Sequence, residues 1–203
     1  MKMNAQTLAS RIFHEHGGIL RTSDILRLGI HPRTLYQMRD SSQVIELSRG
    51  IYRLADLPPL ENSDLVVVMK RAPSAVICLV SALSFHEIMT EVPHEVYLAI
   101  QKGKEKPKLD FPPTRVFHFS DETFSRGVEE YSQDGNRIRV YSKEKTVADC
   151  FKFRNRIGLD VALEALRLCI SKGGSRKKIL EFARICRVEN IMRPYLEAIQ
   201  HLR

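Results

Sequence analysis

Gly17-Gly18-Ile19-Leu20-Arg21-Thr22-Ser23-Asp24-Ile25-Leu26-Arg27-Leu28-Gly29-Ile30-His31-Pro32-Arg33-Thr34-Leu35-Tyr36-Gln37-Met38-Arg39 holds the pattern that decides the fold of the N-terminal part. The two glycines stop a helix read over residues 7–16, in which Leu8, Ile12 and Phe13 fall at helical spacing. Ile19-Leu20-Arg21 is a short extended link. Thr22 or Ser23 is placed to cap a second helix over Asp24-Ile25-Leu26-Arg27-Leu28, which Gly29 ends, and Asp24 suits the positive end of its dipole. His31-Pro32 opens a third helix, because a proline in the first turn loses no hydrogen bond there. One supporting helix and two more joined across Leu28-Gly29-Ile30 have the layout of a helix-turn-helix.

The next residues add a hairpin. Val44-Ile45-Glu46-Leu47 and Ile51-Tyr52-Arg53-Leu54 are strand-like, and Ser48-Arg49-Gly50 is a compact turn between them. A hairpin directly after a helix-turn-helix is a wing, and in winged helices the third helix enters the major groove of DNA while the wing tip reaches the backbone. Leu35 and Met38 are expected to face the core with Ile30 and Leu26. That leaves Arg33, Thr34, Tyr36 and Gln37 outward. Arginine suits guanine or phosphate, glutamine suits adenine, and a threonine methyl meets a thymine methyl. Arg49 at the tip suits a phosphate, and Arg53 on the second wing strand joins this set as a DNA contact.

The remaining chain is consistent with such a partner. The whole chain has 203 residues, 43% hydrophobic and 28% charged, and a net charge of +8, which favours an anionic partner. Residues 1–60 carry +3, residues 61–139 carry −2, and residues 140–203 carry +7. The longest apolar run, Ala75-Val76-Ile77-Cys78-Leu79-Val80, is far short of the ~20 residues of a membrane span, and no secretory leader is visible, so a cytoplasmic protein is expected. Cys78, Cys150, Cys169 and Cys186 form no CxxC pair and are expected to be reduced structural thiols. The adjacent prolines of Asp56-Leu57-Pro58-Pro59-Leu60-Glu61-Asn62 mark a linker. The expected division is a winged helix over residues 1–57 and an α+β domain over residues 58–203.

In that second part, residues 64–72 and 74–89 read as helices, Val96-Tyr97-Leu98-Ala99-Ile100 and Val116-Phe117-His118-Phe119 as buried strands, and residues 101–113 as an exposed loop. Asp134-Gly135-Asn136 signals a hairpin, and the chain from Lys143 onward reads as helical. There Asp160 is expected to cap one helix, Gly173-Gly174 to end it, and Ser175 to cap the next, with Pro194 starting or kinking the last. The architecture is therefore α+β, with a mixed α/β domain and a helical C-terminal part following the winged helix. His86-Glu87-Ile88-Met89-Thr90 has threonine where a zinc-protease motif needs its second histidine, and no nucleophile elbow, P-loop or dinucleotide fingerprint occurs. No catalytic residue, metal site or cofactor is read. Lys172, Arg176, Lys177 and Lys178 surround the glycine turn and are candidate contacts to nucleic-acid backbone. Glu144 and Asp149 beside Lys143 and Lys145 carry an alternative reading, a metal-dependent nuclease delivered by its winged helix. A winged helix used only for protein contacts is a third.

Several of these stretches resemble one family. Gly17-Gly18-Ile19-Leu20-Arg21-Thr22-Ser23-Asp24, Leu28-Gly29-Ile30, Arg33-Thr34-Leu35-Tyr36 and Leu47-Ser48-Arg49-Gly50-Ile51-Tyr52-Arg53 resemble the winged helix of AbiEi-family antitoxins. Downstream, Ser81-Ala82-Leu83, the strand from Val96, and Ile138-Arg139-Val140-Tyr141-Ser142 with Glu144-Lys145-Thr146-Val147-Ala148-Asp149-Cys150 are similar to that family's second domain. The resemblance implies a repressor that binds operator repeats in its own promoter. It further implies a type IV toxin–antitoxin, abortive-infection operon in which the chain is antitoxin to a nucleotidyltransferase-like toxin without a stable complex. It also places Arg33, Thr34, Tyr36, Gln37 and Arg49 in the family's DNA-contacting motifs.

Overall fold

Asn4 sets the start of the first helix: its side-chain oxygen accepts the Gln6 N–H, and α1 runs over Ala5–Glu15. This is a computed structural model, and it describes residues 4–89 and 93–200. The chain divides into two compact units. The first holds Met1–Pro73 with Pro107–Pro113 and Tyr131–Ile138, and the second holds the rest.

In the first unit, α1 is followed by β1 (Ile19–Arg21), α2 (Thr22–Arg27), α3 (Pro32–Asp40), β2 (Val44–Ser48) and β3 (Ile51–Leu54). β3 is the central strand of an antiparallel sheet ordered β1-β3-β2. Ala9, Phe13, Ile25, Ile30, Leu35, Met38, Val44 and Leu54 form its core. Two expected core positions are corrected. Leu8 lies outward while Ala9, one residue on, packs inward beside Phe13, and Leu26 is 46% exposed while Ile25 is buried in its place. Neither Thr22 nor Ser23 caps α2. Arg21 occupies the cap position without a side-chain bond, and the Thr22 hydroxyl donates instead to the Gly50 carbonyl. The unit also continues beyond residues 56–62 through α4 (Ser63–Arg71), whose Leu65, Val66, Val67, Val68 and Met69 are all buried. The Arg21 guanidinium donates to the Lys70 carbonyl on that helix.

The second unit contains a five-stranded mixed sheet. Its early elements are β4 (Val76–Ile77), α5 (Leu79–Phe85), β5 (Val96–Gln101), β6 (Thr114–Phe119) and α6 (Asp121–Ser125). The hairpin β7 (Val128–Gln133) and β8 (Asn136–Tyr141) completes the order β6-β5-β4-β8-β7, its tip being counted with the first unit. Asp134 (φ 49°) and Gly135 (φ 73°) turn that hairpin in two residues with left-handed backbone, the conformation an Asp-Gly pair favours. The helix expected over residues 74–89 is corrected. Val76-Ile77 is a strand held between β5 and β8, and β-branched side chains buried on both faces suit a central strand better than a helix. The Thr90 position of the incomplete zinc motif lies outside the described residues.

Five helices complete this unit: α7 (Lys143–Lys152), α8 (Arg154–Ile157), α9 (Leu159–Ser171), α10 (Arg176–Ile185) and α11 (Glu189–Gln200). Pro194 sits inside α11. Asp160 does not cap α9, because it lies in the first turn and Gly158 takes the cap position. Ser175 does cap α10, accepting the Lys178 N–H on its hydroxyl. α7 packs against α5, α9, α10 and α11, so every residue from Glu144 to Phe151 is buried.

Candidate nucleic-acid interface

The His31 imidazole Nδ1 accepts the Arg33 N–H at 3.1 Å, and Pro32 occupies the first turn, so α3 has a fixed start. Leu35 and Met38 anchor its inner face. Arg33, Tyr36 and Gln37 are consequently exposed at i, i+3 and i+4, with Thr34 half-buried at their edge. Tyr36 keeps 48% of its surface exposed on a helix whose other face is locked in the core. The Arg39 guanidinium lies 5.1 Å from the centre of the Tyr36 ring, and its Nη2 reaches Asp40 Oδ1 at 3.0 Å. Arg39 was not among the expected contacts. Its i, i+3 spacing from an aromatic residue is the sequence signal for this contact with Tyr36.

Arg49 stands exposed at the β2–β3 turn. Beside it Gly50 has φ 73°, donates its N–H to Glu46 Oε1 at 2.8 Å, and leaves only 3.1 Å between a would-be Cβ and Thr22 Oγ1. The left-handed backbone favours glycine here, and a side chain would also press on the Thr22 hydroxyl. A register shift between Glu46 and Ser48 inserts a bulge at Leu47 that bends the strand just before the tip. Tyr52, paired with Glu46 across the hairpin, is buried, and burial together with the Glu46 carboxylate raises its phenol above the ordinary value.

Arg53 is a correction. It is 8% exposed, and its guanidinium donates inward to the carbonyls of Leu54 and Pro58. It lies on the central strand of the small sheet, flanked by β1 and β2, and its side chain does not face solvent.

Among the basic residues near the glycine turn of the second unit, Lys177 and Lys178 are exposed and Arg176 is half-buried. Lys172 is exposed, but its ammonium donates to the Glu87 carbonyl. The backbone N–H of Ser175 is taken by Glu144 Oε1 at 3.1 Å, so an internal carboxylate fills the place a phosphate would take at the start of α10.

Asp149 differs from a nuclease carboxylate. Both it and Lys145 are fully buried, with Lys145 Nζ 2.6 and 2.5 Å from the two Asp149 oxygens and the Cys186 thiol 3.2 Å from Oδ1. The Lys145 ammonium also lies 4.2 Å from the centre of the Tyr141 ring. Burial raises the Asp149 carboxyl above its ordinary value against the opposing pull of Lys145. The group faces helix packing, and no groups of His, Cys, Asp and Glu suited to a metal occur among the described residues. The four cysteines are free and buried, and burial raises the Cys169 thiol to about 11.

Residues 9–55 match the family model described as a transcriptional regulator, AbiEi antitoxin. The matched stretch begins within α1 and ends just after β3, which covers the winged helix. The likeness is therefore to regulators of that kind over the winged helix alone. No curated protein matches the sequence. Among the described residues, no helix is long and apolar enough to cross a membrane.

Proposed function

We propose, taking the likeness of residues 9–55 to AbiEi-type regulators as premise, that the chain is a sequence-specific DNA-binding repressor. It binds repeats in the promoter of its own operon and is the antitoxin of a nucleotidyltransferase-like toxin encoded beside it, acting in the cytoplasm without a stable toxin complex. The observation that carries this reading is the exposed Arg33, Tyr36 and Gln37 face of a helix whose opposite face is fixed by Leu35 and Met38. In it, Arg33 and Gln37 read base edges, Thr34 and Tyr36 pack along the groove, and Arg49 holds a backbone phosphate. Lys172, Arg176, Lys177 and Lys178 add charge along the backbone, Lys177 and Lys178 contributing most because they are exposed, whereas Lys172 is held by the Glu87 carbonyl. The reading assigns no catalysis to the chain.

Selection of bound duplexes from a random pool by the purified protein tests it. One enriched motif is expected, repeated upstream of the chain's own gene, and a reporter driven by that region should be repressed. An unenriched pool, with binding to any partner insensitive to salt, overturns the reading in favour of a winged helix that contacts protein.

A further inference from the structure

Four of the ten basic residues in 61–139 fall within seven positions: Lys102, Lys104, Lys106 and Lys108. All four are exposed. They belong to the connection over residues 102–113, which joins the neighbouring parallel strands β5 and β6 and contains no regular element. Such a connection must travel back the length of a strand, about 20 Å for six residues, and a helix usually makes that journey. Here Gly103, Pro107, Pro112 and Pro113 break any helix. Connections this long without structure of their own are commonly functional when they are held in place.

This one is held. Its second half, Pro107–Pro113, belongs to the first unit. The Ser48 hydroxyl, at the end of β2 and next to Arg49, donates to the Phe111 carbonyl at 2.8 Å, and Pro112 is buried. Lys108 therefore stands three residues from an anchor on the wing, and Lys106 directly precedes Pro107. The connection has only Glu105 and Asp110 to offset its lysines, whereas the remainder of 61–139 is net acidic.

We propose that the Lys106-Pro107-Lys108 arm is a second basic edge of the wing and rests on duplex phosphates beside the one held by Arg49. The proposal rests on the DNA-binding reading above. Phosphate is the ligand because a lysine ammonium is a point charge without the planar fork that reads guanine, and because backbone contacts position a protein without reading sequence.

The full-length protein and a labelled random-sequence duplex, followed by fluorescence anisotropy between about 50 and about 200 mM salt, supply the test. The double substitution Lys106→Gln and Lys108→Gln should flatten the plot of log affinity against log salt by about one to two units, with melting temperature unchanged. Arginine at both positions should restore the slope. Ser48→Ala, which removes the anchor and no charge, should weaken binding in the same direction. If the double glutamine variant keeps the wild-type slope while Arg49→Ala lowers it, the arm is a solvated connection and this proposal fails while the DNA-binding reading stands. If the wild-type protein shows no salt-dependent binding, both fail.

Discussion

Arg33, Gln37 and Arg49 are exposed for different reasons, and substitutions should separate their roles. Arg33 and Gln37 sit on a helix face directed by buried Leu35 and Met38, whereas Arg49 sits at a turn. Arg33→Ala or Gln37→Ala should cost ~1–3 kcal/mol on the selected site and relax preference at one base position. Arg49→Ala should weaken selected and random duplexes alike and lower the salt slope by about one unit. Equal losses on all sequences from all three would remove the base-reading role. Arg53→Ala is the contrasting case. Its effect should appear in the melting temperature, because it removes donors to two carbonyls, while the salt slope of the folded protein stays unchanged. The difference between Arg49 and Arg53 could not be read from residue type. Four positions apart, one lies at the hairpin turn and the other on the central strand of the three-stranded sheet, where the carbonyls of Leu54 and Pro58 take up its guanidinium. Leu26 and Ile25 show the same limit: helical periodicity predicts one buried neighbour, and tertiary packing puts Ile25 in the core and leaves Leu26 exposed.

Elements with strong local signals were readable from sequence, and those fixed by distant partners were not. His31-Pro32 predicts the start of α3, Asp134-Gly135 the turn of the β7–β8 hairpin, and Ser175 the cap of α10. β4 escaped because two residues carry no periodicity, and their strand state comes from β5 and β8, which lie about 20 and 60 residues away. α7 shows how partners change the meaning of residues too. Its Glu144 and Asp149, beside Lys145, read in sequence as catalytic or as solvated or structural, and contacts with α5, α9, α10 and α11 bury all three, as a structural role requires. The Lys145–Asp149 pair has left water entirely, so removing one partner strands a buried charge. Asp149→Ala should destabilise the protein by ~3–5 kcal/mol in a denaturant titration. Joint replacement with Lys145→Met and Asp149→Leu should recover most of that loss, since well-packed apolar side chains substitute for a buried ion pair at little cost. If Asp149→Ala leaves stability unchanged while abolishing a magnesium-dependent cleavage of DNA, the pair is catalytic and the nuclease reading returns.

The whole chain raises the question of where protection against a toxin resides. Charge and the Pro58-Pro59 break suggest two parts from sequence, but the first compact unit extends through α4 to Pro73 and takes in two later segments that no local pattern would assign to it. Residues 1–58 alone would lack α4, whose buried Leu65 to Met69 face belongs to that unit, so a fragment ending at Pro73 should melt at a higher temperature than one ending at Pro58. The core around Phe13, Leu35 and Met38 draws only on residues up to Leu57, so both fragments should show helical circular dichroism. The functional division can then be tested in the intact protein. Repression requires Arg33, Gln37 and Arg49 in the proposed function, and the likeness of the later stretches to the second domain of AbiEi-family antitoxins suggests that antitoxin action belongs to the second unit. With toxin and antitoxin expressed from independent promoters, repression of the natural operon cannot protect the cell. A full-length variant with Arg33→Ala, Gln37→Ala and Arg49→Ala should still restore growth, and residues 1–73 alone should not. Growth restored by residues 1–73, or lost in the triple variant at equal protein level, would place protection in the winged helix and leave the second unit a supporting role.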